Sequence, residues 1–181
     1  MIANLAMTQS SSLFDGPEPG KMPALVRFPL PLFLLQPILG RIVRRVAADE
    51  PSVFNRLGPH KFTRYVIDPA NMPFVLELHP DPDNLVLRAC SRDAIPDHEA
   101  RISGKFFDLL QLVDCDQDGD AMFFSRGLDI SGDTEAVVTL RNALDDLDGS
   151  LAARVADMFG PPGRLALAAL RRTAGYSAPT P

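Results

Sequence analysis

The sequence predicts an α/β (α+β) fold in which a mainly antiparallel sheet of about five strands is covered by helices. Two observations support this prediction. The middle of the chain contains short apolar or alternating segments joined by connections rich in Asp, Asn and Pro, which is typical of antiparallel strands. On both sides of this region apolar residues recur at helical spacing, which indicates amphipathic helices.

Composition restricts the class of function. The chain has 181 residues, 46% of them hydrophobic, which suits one domain with a real core or a modest cavity. Its two cysteines, Cys90 and Cys115, form neither a disulfide framework nor a metal pair, so a reducing cytoplasm is expected. The net charge is −5, but residues 1–48 carry +3 and the remaining residues −8. An acidic body with a basic, apolar N-terminal arm does not suggest nucleic-acid binding, and it suggests that only the arm meets anionic membranes.

The N-terminal part divides into a tail and a helical segment. Residues 1–26 are predicted to be a disordered tail, since they are rich in Ser, Gly and Pro and lack the pattern of a secretory signal. Residues 27–60 are predicted to be an apolar and amphipathic helical segment. Its most apolar stretch, residues 28–40, contains three prolines and is shorter than the about 20 residues of a membrane span.

A helix is predicted from Pro37, at its first position, to Ala48. Its two sides differ in character, with Leu35, Ile38, Leu39, Ile42, Val43 and Val46 on one and Arg41, Arg44 and Arg45 on the other. Two interpretations stay open: packing on the domain core, or insertion into a bilayer surface with the arginines on lipid phosphates. In the second interpretation the membrane-contact residues are Phe33, Leu34, Leu35, Ile38, Leu39, Arg41, Arg44 and Arg45. A second short helix over Pro51–Leu57 is predicted to end at Gly58.

Strands are predicted next, over Phe62–Ile67, Phe74–His79, Asn84–Cys90 and Glu99–Gly104, and their short connections favour an antiparallel meander. A helix with the sequence GKFFDLLQLV, capped by Ser103, is predicted to follow. Only Asp108 and Gln111 are clearly polar in it. Such a helix must be buried or must line something apolar on a second side, which is the best indication of a lipid cavity in the residues themselves.

The stretch from Asp120 to Asp148 predicts a strand at LDIS and then a helix with Asp133 as its N-cap. This helix has an apolar stripe and a polar side, with Ala136, Val137, Leu140, Ala143, Leu144 and Leu147 on the first and Glu135, Arg141, Asn142, Asp145 and Asp146 on the second. The stripe suits core packing as well as the wall of an apolar cavity. Residues 149–181 are predicted to be a helical extension, with a break at GPPG, a short last helix over RLALAALRR and a frayed end.

Two segments, ARISGKFFDLLQLV and FFSRGLDISGDTE, resemble the sterol-carrier-protein type 2 (SCP-2) domain family. The resemblance covers Phe62 to Asp148, and it predicts a lipid-binding domain over residues 61–148. Within the family, GDTE after the FF-R-L-I pattern resembles the UbiT-type accessory factors of ubiquinone biosynthesis. Gly127 and Asp129 depart from the family pattern, which predicts a looser strand there.

The resemblance implies an apolar tunnel and a non-enzymatic carrier. Its cargo would be isoprenoid quinone (ubiquinone) precursors or phospholipid, which it would present to biosynthetic enzymes in oxygen-independent ubiquinone synthesis beside the UbiU and UbiV proteins. The expected location is cytoplasmic and peripherally membrane-associated, and a homodimer is left open. The lipid-binding residues would be Phe106, Phe107, Leu109, Leu110, Val113, Phe123, Phe124, Leu128, Ile130, Val137, Leu140 and Leu144. The alternative is an interaction or assembly module whose apolar faces pack its own core and a partner subunit.

Catalytic and metal motifs are incomplete in this sequence. An acidic stretch resembles the start of a calcium-binding loop, with Asp114, Asp116, Asp118, Gly119 and Asp120. The twelfth position of such a loop requires a bidentate Glu, and here it is Ser125. Ser125 also does not fit a nucleophile elbow, because Phe123 stands where that motif requires a glycine. The three histidines, His60, His79 and His98, are too scattered for a metal pair. The chain is therefore predicted to be no enzyme and to use neither a metal nor a cofactor.

Overall fold

The computed structural model describes residues 32–114, 127–147 and 150–174, which form a five-stranded sheet flanked by helices. The predicted α+β class is thus confirmed. The described helices are α1 (Leu32–Asp49), α2 (Ser52–Leu57), α3 (Phe106–Asp114), α4 (Thr134–Asp145), α5 (Leu151–Asp157) and α6 (Gly160–Ala174). The strands are β1 (Tyr65–Pro69), β2 (Phe74–His79), β3 (Val86–Ser91), β4 (Ala100–Gly104) and β5 (Leu128–Gly132), and short 3₁₀ turns occur at Gly58–Phe62 and Arg92–Ala94.

The sheet order is β3-β2-β1-β4-β5, and its neighbouring strands are antiparallel except for β1 and β4. The predicted meander is therefore wrong at one connection. After the edge strand β3 the chain returns across the sheet and places β4 on the free side of β1, so these two strands run in the same direction. The prediction that β1 starts at Phe62 is also wrong, because the chain forms a 3₁₀ turn from Gly58 to Phe62, with Pro59 in its first turn.

One face of the sheet, the inner face, carries the core. Ile67, Ile102 and Ile130 are register partners across β1, β4 and β5 and point to this face. Helices α2, α3, α4 and α5 add apolar side chains to it. The buried members of the cluster are Val53, Leu57, Tyr65, Ala100, Ile102, Leu109, Ala136, Val137, Leu140, Ala143 and Leu147. Strand β4 shows the alternation that this face predicts, with Ala100 and Ile102 buried and Arg101 and Ser103 half-buried.

The opposite face, the outer face, carries charged side chains. The carboxylate of Asp68 on β1 is 4% exposed and accepts hydrogen bonds from Arg92 and Arg101. Burial alone would raise the pKa of Asp68, but the hydrogen bonds and charges of the two arginines outweigh it and hold the pKa below its ordinary value. A second pair, Glu77 with Arg88, has an O–N distance of 2.5 Å. Val66 and Val75 lie on this face too and are fully buried, so the outer face combines paired charges with apolar packing.

Helix α1 already includes Leu32, and Pro37 lies inside it rather than at its first position. The prediction from the proline rule was wrong here, since Pro37 is the sixth residue of the helix, where it removes the hydrogen bond to the Phe33 carbonyl. The helix packs against β3. The amide of Gln36 donates to the Ala89 carbonyl at 2.7 Å and accepts from the Ala89 N–H at 3.3 Å, so it covers part of the sheet edge.

Helix starts follow local capping chemistry. Asp133 is the N-cap of α4 as predicted, since its carboxylate accepts from the Ala136 N–H at 2.9 Å. Ser103, the predicted cap of α3, lies instead in β4, and the Asn71 side chain from the β1–β2 turn accepts from the Phe106 N–H at 2.8 Å. Arg141 was predicted on the polar side of α4 but is 9% exposed, and it pairs with Asp145 at 3.1 Å.

The C-terminal part contains two packed helices. The break was predicted at GPPG, but α5 already ends at Asp157 and GPPG forms the first turn of α6, where proline is tolerated. Gly163 allows the close approach of the two helices, because a Cβ there would lie 2.2 Å from the Ala156 carbonyl oxygen. Helix α6 is therefore longer than the short helix predicted.

Some predictions concern residues outside the described ranges. They are the tail over residues 1–26, the acidic stretch beyond Asp114, the residues Phe123, Phe124 and Ser125, and the frayed end. Among the helices that the structure does describe, none combines the length and the apolar character that crossing a membrane requires.

Candidate functional site

The candidate site lies where α3, β5 and α4 meet the inner face of the sheet. Helix α4 contacts β4 and β5, and α3 contacts β4, α4 and α5. Ala136, Val137 and Ala143 on α4 are at most 1% exposed, so this part of the predicted stripe is closely packed. The register pairs Ile102 with Ile130 beneath the helices.

The predicted lipid-binding residues divide into two groups. Leu109, Val137 and Leu140 are enclosed, with exposures of 9%, 0% and 5%. The others within the described ranges are half-buried: Phe106, Phe107, Leu110, Val113, Leu128, Ile130 and Leu144. Phe123 and Phe124 lie outside those ranges. The first group belongs to the buried core, and Leu128, Ile130 and Leu144 of the second group pack against that core while staying partly exposed.

Helix α3 was predicted to be apolar nearly all round, and its burial agrees with that pattern. Within residues 106–113, Leu109 is buried and the other side chains are half-buried. The rings of Phe106 and Phe107 meet edge to face, with centroids 5.6 Å apart and an interplanar angle of 67°. The described residues alone do not outline the tunnel that the resemblance implies.

Polar groups beside the cluster are engaged in structural contacts. The buried Tyr65 hydroxyl donates towards the carbonyl oxygens of His60 at 3.1 Å and Ala136 at 3.3 Å. Burial raises the pKa of Tyr65 to about 12, so the phenol stays neutral at physiological pH. His60 Nδ1 lies 3.8 Å from the Asp133 carboxylate at the start of α4. These contacts fix the start of α4 against the sheet.

Two of the three histidines lie beside backbone carbonyl oxygens. His79 Nε2 lies 3.1 Å from the Phe62 carbonyl oxygen, and His98 Nδ1 lies 2.9 Å from the Pro96 carbonyl oxygen. Within residues 32–114, 127–147 and 150–174, no group of three His, Cys, Asp or Glu side chains is placed to hold a metal ion.

The sequence reasoning missed several residues that complete the apolar cluster. They are Val53, Leu57, Ile67, Leu78, Leu112 and Leu151. The signal was present for Val53 and Leu57, whose spacing places both on one side of a helix. Leu78 and Ile67 follow from strand alternation once Tyr65 is known to point inward.

The predicted membrane-contact residues separate along α1. Phe33, Leu34 and Ile38 are 70%, 46% and 41% exposed, whereas Leu35 and Leu39 are half-buried. The three arginines are exposed: Arg41, Arg44 and Arg45. Ile38 was predicted on the side opposite the arginines but lies with them on the exposed side. Ile38 lies at the border of the apolar stripe, and at about 100° per residue a small rotation of the helix turns a border residue towards either side.

Three comparisons with known proteins complete the description. The model of the SCP-2 sterol transfer family matches residues 41–145, which is more than half of the chain. A search of curated proteins returns no match. Among solved structures, one titled "UbiJ-SCP2 Ubiquinone synthesis protein" is similar with a TM-score of 0.45 and 18% sequence identity, over 69% of this chain and 94% of that one.

Proposed function

The chain belongs to the SCP-2 sterol transfer family, and from that premise we propose that it is a non-enzymatic lipid carrier. The observation that carries the proposal is the half-buried apolar surface formed by α3, β5 and Leu144 of α4. A prenyl or acyl chain that removes about 300 Å² of apolar surface from water there gains about 7 kcal/mol. This gain is of the size needed to offset the entropic cost of association, which begins at about 4 kcal/mol.

The cargo we propose is an isoprenoid quinone precursor or another membrane lipid. Support comes from the resemblance of FFSRGLDISGDTE to the UbiT-type accessory factors, which favours oxygen-independent ubiquinone synthesis and the UbiU and UbiV proteins as partners. The polar head of such a lipid stays at the surface while its chain enters the apolar region. The protein therefore acts as a peripheral membrane protein that collects lipid and presents it to enzymes.

The proposal is tested by what the purified protein carries and takes up. Solvent extraction under denaturing conditions, followed by mass spectrometry, is expected to yield a stoichiometric lipid. The stripped protein is expected to bind a soluble fluorescent short-chain lipid probe. Absence of both would overturn the carrier function and favour the assembly module.

A matched pair of variants locates the site. Leu110→Gln places an amide in the half-buried surface of α3, whereas Leu165→Gln makes the same change on α6, where Leu165 is 72% exposed. Leu110→Gln is expected to weaken probe binding about five- to 150-fold, since each desolvated amide costs about 1–3 kcal/mol. Leu165→Gln is expected to leave it unchanged. Equal affinities of the two variants would place the probe elsewhere.

A further inference from the structure

The orientation of α1 on the domain is fixed by two polar contacts. Gln36 bonds both backbone groups of Ala89 on the edge strand β3. Just beyond the other end of the helix, Arg154 on α5 donates to the Glu50 carboxylate at 3.0 Å. Since these contacts lie near opposite ends, they determine which side of the helix faces away from the protein.

The outward side of α1 is divided along the helix axis rather than around it. Its exposed residues fall within one arc of about 160° at about 100° per residue. The N-terminal half of that arc is apolar, with Phe33, Leu34 and Ile38. The C-terminal half is basic, with Arg41, Arg44 and Arg45. Arg45 is paired with the exposed Asp49 at 2.8 Å, so Arg41 and Arg44 supply the net charge of this half.

We propose that this side of α1 docks on an anionic lipid bilayer obliquely, with its N-terminal end entering first. Phe33, Leu34 and Ile38 enter the boundary between headgroups and acyl chains, and the arginines bind the lipid phosphates behind them. Phe33 and Arg45 are about 18 Å apart along the axis, which is enough for the two halves to reach different depths. The inference rests on the proposed function in one respect, namely that a lipid carrier must meet a membrane.

Charge complementarity selects an anionic bilayer as the occupant of this surface. Residues 1–48 carry +3 while the rest of the chain carries −8, so an anionic surface attracts α1 and repels the body. Insertion is shallow, because Pro37 has no N–H for the Phe33 carbonyl, and a carbonyl without a partner is costly in the hydrocarbon region. The protein therefore stays at the interface, where a lipid can pass between membrane and protein.

The chain contains no tryptophan, so a single introduced tryptophan reports on depth. Phe33→Trp places the reporter at the apolar end, and Ala48→Trp places it on the same exposed side about 22 Å away along the axis. With vesicles of phosphatidylglycerol and phosphatidylcholine, the first reporter is expected to shift its emission to the blue and to be quenched by brominated acyl chains. The second is expected to do neither. Equal quenching of both would show a flat helix and overturn oblique entry, and quenching of neither would overturn docking.

The basic half is tested by removing two cations. Arg41→Gln with Arg44→Gln is expected to weaken vesicle binding about thirtyfold, from about 1 kcal/mol per cation near an anionic leaflet. The control removes two exposed cations elsewhere, by Lys105→Gln with Arg172→Gln, and is expected to bind like the parent protein. Equal binding of the two double variants would overturn the proposal. So would protection of the Phe33→Trp reporter by self-association in the absence of lipid, which would assign this surface to a second copy of the chain.

The fluorescent probe assay separates this inference from the proposed function. If docking fails while the stripped protein still binds the soluble probe, the carrier stands and the surface assigned to α1 is wrong. If docking succeeds while no probe binds, α1 is a membrane anchor and the carrier function is wrong.

Discussion

The stripe on α4 was compatible with core packing or with a cavity wall, and one substitution decides between them. Ala143 is 1% exposed, so its methyl group contacts protein on all sides. We predict that Ala143→Phe destabilises the fold, because a phenyl ring has no space to enter. Overpacking of a closed core costs about 1–3 kcal/mol. For a chain of this size each kcal/mol lowers the Tm by about 2–4 °C, which gives an expected fall of about 2–12 °C.

The matched control is Asn142→Phe, at the neighbouring exposed position of the same helix. Surface substitutions usually change the free energy of unfolding by less than about 0.5 kcal/mol, so its Tm should stay close to that of the parent protein. Thermal melts of the stripped proteins give the comparison. Titration of each folded variant with the fluorescent lipid probe is done in parallel.

The refuting result is specific. If Ala143→Phe melts together with Asn142→Phe but no longer binds the probe, the ring has filled a space that lipid uses. Ala143 would then line a cavity, and the whole stripe of α4 would join the half-buried residues as a lipid wall. A fall in Tm with unchanged probe affinity leaves the stripe in the core.

Three further predictions follow from single sites. Asp68→Asn should lower the free energy of unfolding at pH 7 by at most about 3–5 kcal/mol. Because the pKa of Asp68 is lowered in the folded protein, the stability that its charge contributes is present above the unfolded pKa of 3.8 and is lost as the pH falls through the folded pKa. Thermal melts of the parent protein and the variant should therefore converge in acid. Gly132→Ala should lower the free energy of unfolding by at least about 1–3 kcal/mol, because φ of Gly132 is 79° and the new Cβ would lie 2.1 Å from the Glu99 carbonyl oxygen. The control, Gly40→Ala in α1, should not lower it in the same thermal melts. Millimolar calcium should leave the Tm unchanged, because the acidic stretch from Asp114 to Asp120 lacks its closing Glu, and saturable heat in a calorimetric titration would contradict this.

Local chemistry made most elements of the fold predictable. Asp133 identified the start of α4, and alternation identified β2 to the residue. The topology was harder, since the parallel pairing of β1 with β4 depends on where the chain goes after β3. The short connection between β3 and β4 favours a hairpin of these two strands, but β4 pairs instead with the free side of β1.

The candidate site was predictable in composition but not in burial. Hydrophobic periodicity places Val137 and Leu144 on one side of α4, yet it cannot distinguish the enclosed Val137 from the half-buried Leu144. That distinction depends on neighbouring elements. Leu128 on β5, for example, packs so closely on Gly104 of β4 that a Cβ at Gly104 would lie 2.6 Å from the Leu128 side chain. Contacts between distant parts of the chain decide which apolar residues are enclosed and which stay half-buried.

The rotation of α1 illustrates the same limit for a polar residue. A helical wheel built on hydrophobicity turns Gln36 outward, because periodicity treats a polar side chain as solvated. In the structure Gln36 faces inward, because the free N–H and carbonyl of Ala89 at the sheet edge need partners. This contact turns Phe33 and Ile38 outward, towards the side that bears the arginines. An unpaired strand edge, rather than the apolar stripe, thus sets the surface that we assign to the membrane.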